Sequence, residues 1–500
     1  MTPDAIGAAP RNPAPALATL VPPLWVVVVL SATVHLAMAA LIPLFQDEAY
    51  YALWATHPAL GYYDHPPMIA WWIWLGEALF GATPFGVRIL SVLAFTAVTP
   101  LCWRMATLVG GCERAGRIAA LYFNVMVLPF ALGFAATPDA PSTLFWALAT
   151  WGVVEALHAF GGRPRAGWWF LAGAAAGLGV LSKFTGLFYC FGLVGWLLAT
   201  SPGRASLRRP VVWLTAGLGL LMVAPNVLWN YQHDWLGLQR QFGRLAVAGP
   251  HRAWVGSYLL AMIAAITPGI LGALAVGVVT AGRKASLLLW TMAPLALYML
   301  AHSTHSQVQA NWLAPLFPGF AVLAAIGSDR RPATFVALNA GLGLGLSVLA
   351  VGLAFWPGAP FFRGDNPPNQ TKGWPAFAND LHDLAVENGA VWVATAGYGL
   401  TGSLAFYLPG RPVWDTTDQV RYGFRGAFPR DYCTAPGLFV VSEADAAEAN
   451  LHFSKVGAVK VLVRRSLAAE VMRYAVIPVS GVTDPALCAQ PQTQGANRLK

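Results

Sequence analysis

Apolar segments of membrane-spanning length recur along most of this 500-residue chain. Only 11% of its residues are charged and 57% are hydrophobic, whereas soluble proteins carry about 25% charged residues. A transmembrane helix needs about 20 mostly apolar residues. The sequence therefore predicts a mainly α, polytopic transmembrane protein with about eleven spans. The predicted spans are 22–45, 84–108, 117–136, 140–160, 167–182, 184–200, 210–230, 254–281, 286–302, 312–327 and 333–356.

A further apolar segment, PPMIAWWIWLGEALF at 66–80, is short, aromatic and interrupted by Glu77. We interpret it as a helix that lies in the membrane interface rather than across the bilayer. The loops between the predicted spans then alternate between basic and non-basic, and basic loops face the cytoplasm. This pattern predicts a cytoplasmic N-terminus and a C-terminus outside. It also accounts for the net charge of +9 without a basic patch for nucleic acid.

The composition changes after Trp356, where the chain becomes polar. Apolar runs of strand length alternate there with helix-like pieces, which is typical of an α/β domain. These runs are AVWVATA (390–396), GLFVVS (437–442) and VKVLVRR (459–465). We divide the chain into a cytoplasmic tail (1–21), a transmembrane domain (22–358) with its first outside loop at 46–83, and an outside domain (359–500).

Two of the five cysteines, Cys433 and Cys488, fall within the C-terminal domain. An oxidising compartment would permit a disulfide bond between them. Two unpaired thiols are the alternative, and the sequence does not choose between them.

Carboxylates concentrate in the loops that are expected outside. Asp47 and Glu48 directly follow the first predicted span, at a depth where ionisable groups are costly and usually functional. Asp139 lies in ATPDAP, where prolines on both sides restrict a short turn. It is either an acid held rigidly at the membrane surface or simply the N-cap of the next helix. Since carboxylates serve as general bases, we predict that Asp47, Glu48 and Asp139 are catalytic.

Cationic and imidazole side chains share the same face. Asp64 and His65 precede two prolines that hold the backbone extended, and such a pair can bind a divalent metal or contact a phosphate. Lys183, in LSKFTG, is either a cation for a lipid phosphate or a snorkelling lysine. Arg240 and Arg244 lie four residues apart, so on a helix they share a face, where they form a second phosphate site or rest in the interface.

Aromatic side chains accompany these charges in the first outside loop. Flat rings there either stack on sugars or form the aromatic belt of a membrane protein. The candidate sugar- or acceptor-binding residues are Tyr50, Tyr51, Tyr62 and Tyr63.

Several of these stretches, in the same order along the chain, resemble the polytopic glycosyltransferases of the GT-C fold (glycosyltransferase families 39 and 83). The similar groups are the protein O-mannosyltransferases and the bacterial aminoarabinose transferase that modifies lipid A. The stretches are QDEAYYALWA (46–55), GYYDHPPMIAWW (61–72), TPDAP (137–141), LSKFTG (181–186), ANWLAPLFPG (310–319) and LAFYLPGRPVW (404–414).

The resemblance implies transfer of one sugar, with inversion, from a polyprenyl-phosphate carrier to an acceptor on the extracytoplasmic side. Asp47 matches the family's first-loop catalytic aspartate, and Asp139 matches a second acidic position. The aminoarabinose transferase has Glu-Lys where this chain has Asp64-His65. Histidine is a weaker and pH-dependent cation, so this difference leaves a divalent metal open as the partner of the phosphate.

The implied setting is the inner membrane of a bacterium, with undecaprenyl phosphate as the carrier and with a lipid, glycan or protein as the acceptor. Two other classes share the membrane setting. A secondary transporter or flippase would place charges near the middle of spans and show repeats. A glycan polymerase or ligase would move a whole glycan rather than one sugar.

Overall fold

The computed structural model describes residues 21–158, 166–243, 252–356, 366–408 and 410–488. The part up to Trp356 is helical, and the part after it is a mixed sheet covered by helices. Short 3-10 helices at Gly282–Ala285 and Ala310–Leu316 connect some of the long helices. The helices up to Trp356 are α1 Leu24–Leu41, α2 Gln46–Ala55, α3 Met68–Phe80, α4 Pro84–Gly110, α5 Glu113–Val125, α6 Val127–Leu132, α7 Asp139–His158, α8 Ala166–Ser182, α9 Gly186–Ala199, α10 Ser201–Leu207, α11 Pro210–Gln232, α12 Leu236–Gly243, α13 Arg252–Ile266, α14 Pro268–Ala281, α15 Ser286–His302, α16 Phe317–Ser328 and α17 Ala333–Phe355.

The helical part contains long apolar helices, but the predicted count of about eleven spans is not confirmed. Within the described residues, six segments are long and apolar enough to cross a membrane, and a seventh is added if α9 and α10, bent by 97°, form one span. The helix α3 has only 13 residues, or about 20 Å at 1.5 Å per residue. The six segments are Leu24–Leu41, Pro84–Gly110, Pro210–Gln232, Pro268–His302, Ala310–Ser328 and Ala333–Phe355.

The predicted span 117–136 is interrupted at Met126, which has an extended backbone between α5 and α6. Pro129, inside α6, has no N–H with which to bond the carbonyl of Val125. That carbonyl instead accepts a hydrogen bond from the Ser347 hydroxyl of α17 at 3.1 Å. After α6 the chain turns into α7, whose first residue is Asp139.

The C-terminal domain is built on a six-stranded sheet in the order β2-β1-β3-β6-β4, with β5 also paired to β6. The strand β1 runs parallel to β2 and β3, and β6 runs antiparallel to β3, β4 and β5. The strands are β1 Trp392–Thr395, β2 Val413–Asp415, β3 Gly437–Ser442, β4 Phe453–Val456, β5 Lys460–Ser466 and β6 Ala469–Val482. The helices are α18 Pro367–Gln370, α19 Trp374–Glu387, α20 Tyr398–Tyr407, α21 Ala449–His452 and α22 Pro485–Cys488, with 3-10 turns at Gly423–Arg425, Arg430–Cys433 and Glu443–Glu448.

The three apolar runs that predicted strands coincide with β1, β3 and β5. The other three strands were not predicted. Cys433 and Cys488 form a disulfide bond. Of the two alternatives that the sequence left open, the bridge is therefore the one found in the structure.

The C-terminal domain docks on the first outside loop through α2 and α20. Gly402 allows the close approach, because a Cβ at this position would lie 2.7 Å from the backbone nitrogen of Tyr50. A Cβ on Gly399 would likewise meet the Gln46 side chain at 2.3 Å. Two glycines therefore bring the C-terminal domain into contact with the helix that carries Asp47.

Candidate active site

A cavity of about 520 Å³ lies where α2, the turn before α7, the turn after α8 and the end of α15 meet the C-terminal domain. It collects most of the charged residues that the sequence singled out. Its lining comprises Asp47, Tyr50, Tyr51, Asp64, His65, Thr137, Pro138, Asp139, Lys183, Phe184, Thr185, Leu187, Phe188, Phe191, Leu238, Arg240, Gln241, Tyr298, Met299, His302, Gln309, Asn311, Trp312, Tyr398 and Arg421.

Asp139 and Lys183, predicted for different roles, form one buried ion pair. The Lys183 Nζ lies 2.7 Å from Asp139 Oδ1, and Asn311 Nδ2 donates to Asp139 Oδ2 at 2.9 Å. Asp139 is the first residue of α7, and Lys183 immediately follows α8. The aspartate is thus held on both oxygens, and the lysine charge is balanced.

Asp64 forms a second charged centre with two arginines. Its Oδ1 lies 3.4 Å from Arg240 Nε and 3.4 Å from an Arg421 terminal nitrogen. Its Oδ2 accepts a hydrogen bond from the Tyr50 hydroxyl at 3.2 Å. Two guanidinium groups therefore share one carboxylate at the cavity wall.

Arg421 comes from the C-terminal domain and was not predicted. Its guanidinium lies over the Tyr398 ring at 4.6 Å and also lies 5.8 Å from the rings of Tyr50 and Tyr63. Asp418, three residues earlier, accepts from its backbone N–H and lies 3.2 Å from its Nε. No spacing in the sequence connects this arginine to Asp64, because the two residues meet only when the domains dock.

Asp47 lines the cavity from the first turn of α2, and its carboxylate is partly buried. Burial is the main cause that raises the pKa of Asp47, and the nearby carboxylates of Asp64, Glu48 and Asp139 raise it further. A hydrogen bond with the Tyr398 side chain acts in the opposite direction and lowers this pKa. A carboxylate with a raised pKa inside a cavity is suited to accept a proton.

Glu48 does not line the cavity, although its sequence neighbour Asp47 does. Its carboxylate is fully buried and pairs with Arg88, with Nε to Oε1 at 2.8 Å and a second contact at 2.5 Å. The backbone N–H groups of Phe45 and Ala136 donate to the same carboxylate at 2.9 and 2.7 Å. Glu48 thereby connects α4, the start of α2 and the turn that leads to Asp139.

The four predicted tyrosines divide into two groups. Tyr50 and Tyr51 line the cavity. Tyr62 stacks on Trp54 at 4.4 Å and is buried outside the lining, and Tyr63 lies beneath the guanidinium of Arg240 at 5.2 Å.

The remaining predicted residues have mixed outcomes. His65 lines the cavity beside Tyr51, with ring centroids 6.1 Å apart. Arg244 lies outside the described residues. Over the described ranges, no three His, Cys, Asp or Glu side chains come together as metal ligands, and the Asp64 carboxylate faces arginines.

The chain is similar in sequence to several known membrane glycosyltransferases. A family model described as dolichyl-phosphate-mannose-protein mannosyltransferase matches residues 64–229. The lipid A galacturonosyltransferase RgtD of Rhizobium johnstonii is 24% identical over 379 residues, which are 73% of this chain and 77% of that protein. An undecaprenyl phosphate-alpha-4-amino-4-deoxy-L-arabinose arabinosyl transferase of Sodalis glossinidius is 27% identical over 67% of this chain. That match spans 63% of the Sodalis protein, slightly less than two thirds.

Solved structures share the fold over nearly the whole chain. The structure of ArnT from Cupriavidus metallidurans bound to undecaprenyl phosphate superposes with a TM-score of 0.64 and 16% identity, covering 91% of this chain and 97% of that one. The apo ArnT structure gives a TM-score of 0.63. The fold and the sequence matches define the class: the chain is a membrane glycosyltransferase with the GT-C fold. Within this class, RgtD acts on lipid A and the Sodalis transferase uses an undecaprenyl-phosphate sugar, as their names state.

Proposed function

We propose that this glycosyltransferase moves one sugar from a polyprenyl-phosphate carrier, most simply undecaprenyl phosphate, to a lipid acceptor such as lipid A. The names of RgtD and of the Sodalis transferase support a lipid-linked donor and a lipid acceptor. The observation that carries the proposal is the composition of the cavity. Its lining contains the partly buried carboxylate of Asp47, two arginines and several apolar side chains, among them the exposed Phe191.

The proposed setting is the bacterial inner membrane, with the N-terminus in the cytoplasm and the cavity and C-terminal domain in the periplasm. The basic loops support this orientation because they face the cytoplasm in membrane proteins. The disulfide of the C-terminal domain also supports it, since such bonds persist in the oxidising periplasm.

In the proposed reaction, Asp47 is the general base. Its carboxylate accepts the proton of the acceptor hydroxyl or amine as the acceptor oxygen or nitrogen forms a bond to the anomeric carbon. The bond from the anomeric carbon to the phosphate oxygen breaks, and its electron pair leaves with the carrier phosphate. Attack opposite to the leaving group inverts the anomeric configuration.

The leaving phosphate gains negative charge, and positive groups that are already in position stabilise such charge. Arg240 and Arg421 are the proposed phosphate ligands, because both guanidinium groups face the cavity around Asp64. Arginine binds phosphate through paired donors, and the Asp64 carboxylate holds both groups close together before the donor arrives. Lys183, which is already paired with Asp139, is proposed to position that aspartate beside the sugar.

Glu48 is proposed to act through position rather than by contact with the substrate. Its four hydrogen-bonding contacts are with Arg88, Phe45 and Ala136. It therefore fixes the start of the helix that presents Asp47 and the turn that presents Asp139.

Transfer by the purified protein tests the proposed function. We expect protein in lipid nanodiscs to move sugar from synthetic undecaprenyl-phosphate donors to lipid A, and mass spectrometry of the lipid product would detect the added mass. Donors carrying 4-amino-4-deoxy-L-arabinose and galacturonic acid are the first choices, because relatives are named for these sugars. Envelope lipids of a deletion strain and its parent would extend the test to other sugars. Identical lipid and glycan profiles in the two strains, with no transfer in vitro, would contradict the proposal.

The pH dependence of transfer should report on Asp47. A base is inactive when protonated, so activity falls as the pH falls through the Asp47 pKa, which burial raises above the ordinary value of 3.8. The Tyr398 hydrogen bond lowers this pKa, so Tyr398→Phe should move the acidic limb of the pH–rate profile to higher pH. The exposed Tyr231 offers the same substitution outside the cavity as a control. If the acidic limb of the pH–rate profile lies at the same pH in Tyr398→Phe and in the unmodified protein, the group that titrates is not Asp47.

The phosphate assignment predicts a loss of donor affinity in Arg421→Gln. A hydrogen bond to a charged group contributes about 1.5–3 kcal/mol, so the donor KM should rise by about tenfold to a hundredfold. Steady-state kinetics with varied donor would measure it. Arg473→Gln is the matched control, because Arg473 lies on the same domain but pairs with the exposed Glu443. Equal donor KM values for Arg421→Gln and the unmodified protein would remove Arg421 from the phosphate site.

A further inference from the structure

One wall of the cavity consists of rings in mutual contact. Phe188 of α9 lies 4.8 Å from Tyr298 of α15, and Tyr298 stacks on His302 at 5.7 Å. His302 lies 6.0 Å from Trp312 of the 3-10 helix after α15. We call Phe188, Tyr298, His302 and Trp312 the aromatic wall. All four residues line the cavity, and the reaction described above uses none of them.

His302 carries polar atoms that the rest of the protein leaves unpaired. It is only 4% exposed, and within the described residues its buried Nδ1 has no hydrogen-bond partner. The other ring nitrogen, Nε2, is not among the buried unpaired atoms, and so it is the nitrogen that a ligand in the cavity can reach. Within the described residues, the ring contacts of His302 are those with the rings of Tyr298, His305 and Trp312, so a cavity ligand that bonds Nε2 would give this imidazole a polar partner.

The wall is connected to the Asp139 centre through the 3-10 helix Ala310–Leu316. Asn311, which donates to Asp139 Oδ2 at 2.9 Å, is the neighbour of Trp312 in sequence. Trp312, Asn311, Asp139 and Lys183 all line the same cavity, so the wall and the buried ion pair belong to one site.

Tyr50 of the first loop is less accessible to a sugar than Trp312 of this wall. The Tyr50 ring is surrounded by Trp54, Tyr398 and Tyr422 at 4.9–5.8 Å, and only 2% of the residue is exposed. The Tyr50 hydroxyl is engaged with Asp64. Trp312 is less buried than Tyr50, and among the described residues its one ring contact is with His302.

We propose that the aromatic wall is the binding surface for the sugar of the donor. The sugar ring lies against the Trp312 indole, and His302 Nε2 makes a hydrogen bond with one of its hydroxyl groups. A neutral imidazole can donate or accept such a bond, and a flat ring next to a hydrogen-bonding group suits a sugar, which has both C–H faces and hydroxyls. The assignment rests on the proposed function, because it concerns the sugar of the same lipid-linked donor.

Binding of two lipids that differ only in the sugar tests the assignment. The probes are undecaprenyl phosphate and undecaprenyl phosphate that carries 4-amino-4-deoxy-L-arabinose, with a galacturonic acid donor in parallel. Titration of the nanodisc protein would give the Kd of each probe. For His302→Leu we expect affinity for a glycosylated donor to fall about five- to tenfold, the size of one hydrogen bond of about 1 kcal/mol. Trp312→Leu removes the flat surface against which the sugar lies, and we expect a loss of about the same size. Affinity for the sugar-free carrier should not change.

Two further variants guard against simple loss of structure. His302→Gln retains an N–H group and should keep more donor affinity than His302→Leu. Trp213→Leu removes an exposed indole on α11, outside the cavity, and should leave both affinities unchanged.

The outcomes separate the two proposals. An equal loss for both lipids would overturn the sugar assignment, because the wall would then bind the isoprenoid chain or support the fold. No loss for either glycosylated donor would overturn it as well. Failure of the unmodified protein to bind the sugar-free carrier would contradict the proposed function itself, and the assignment with it.

Discussion

Replacement of Asp47 by asparagine is expected to abolish sugar transfer while the protein remains folded. Asparagine has nearly the same shape but cannot accept the proton of the acceptor, and general base catalysis contributes about 10²- to 10⁴-fold in rate. We expect kcat to fall by that factor, with little change in the affinity for undecaprenyl phosphate. Single-turnover transfer and carrier titration on the same preparation would measure both quantities.

The stability of Asp47→Asn distinguishes a catalytic role from a structural one. Burial raises the pKa of Asp47, which means that its ionised form is less favourable in the folded protein than in the unfolded chain. Removal of this charge should leave the thermal midpoint unchanged or raise it. Near-normal transfer by a well-folded Asp47→Asn protein would exclude the carboxylate as the base.

The cavity could be predicted in part because its charged residues follow apolar segments. Asp47, Asp64, Asp139, Lys183 and Arg240 are each recognisable as a charge at the end of a span or in a short loop, and all of them line the cavity. Their pairing could not be predicted. The ion pair between Asp139 and Lys183 depends on how α7 packs against α8, and no local pattern describes that packing.

Other parts of the site lie beyond local sequence patterns for identifiable reasons. Arg421 is 357 residues from Asp64, and the two residues meet because the C-terminal domain docks on the first outside loop. The aromatic wall is composed of residues that also suit an interfacial belt, so composition alone does not distinguish the two roles.

The different roles of Asp47 and Glu48 follow from the helix that contains them. Consecutive residues on an α-helix point about 100° apart, since 3.6 residues make one turn. In a loop both carboxylates can face the same side, and the sequence predicted a loop here. Because α2 starts at Gln46, Asp47 faces the cavity and Glu48 faces the interior. The sequence contains one signal for the role of Glu48. Arg88 is a charged residue near the start of a predicted span, and a charge at that depth normally pairs with an acidic side chain.

Replacement of Glu48 by glutamine is expected to lower the stability of the protein strongly, whereas Asp47→Asn should leave stability intact and abolish transfer. The Glu48–Arg88 pair is fully buried on both sides. Removal of one partner from a buried ion pair costs about 3–5 kcal/mol, because the other charge stays buried without compensation. Arg88 retains the carbonyl oxygens of Ala39, Ile42 and Pro43 and gains an amide oxygen from the new side chain, but these neutral acceptors do not balance its charge.

The matched control for Glu48→Gln is Glu443→Gln. Glu443 pairs with Arg473 in an exposed position, where ion pairs contribute about 0–1 kcal/mol. Thermal unfolding in detergent would therefore show a large decrease in midpoint for Glu48→Gln and almost none for Glu443→Gln. Exchange of both Glu48 and Arg88 for apolar residues should recover only part of the loss, because the N–H groups of Phe45 and Ala136 would lose their acceptor. If Glu48→Gln instead unfolded at the normal temperature and lost transfer, Glu48 would be part of the chemistry, and the division of roles between these two neighbouring carboxylates would be wrong.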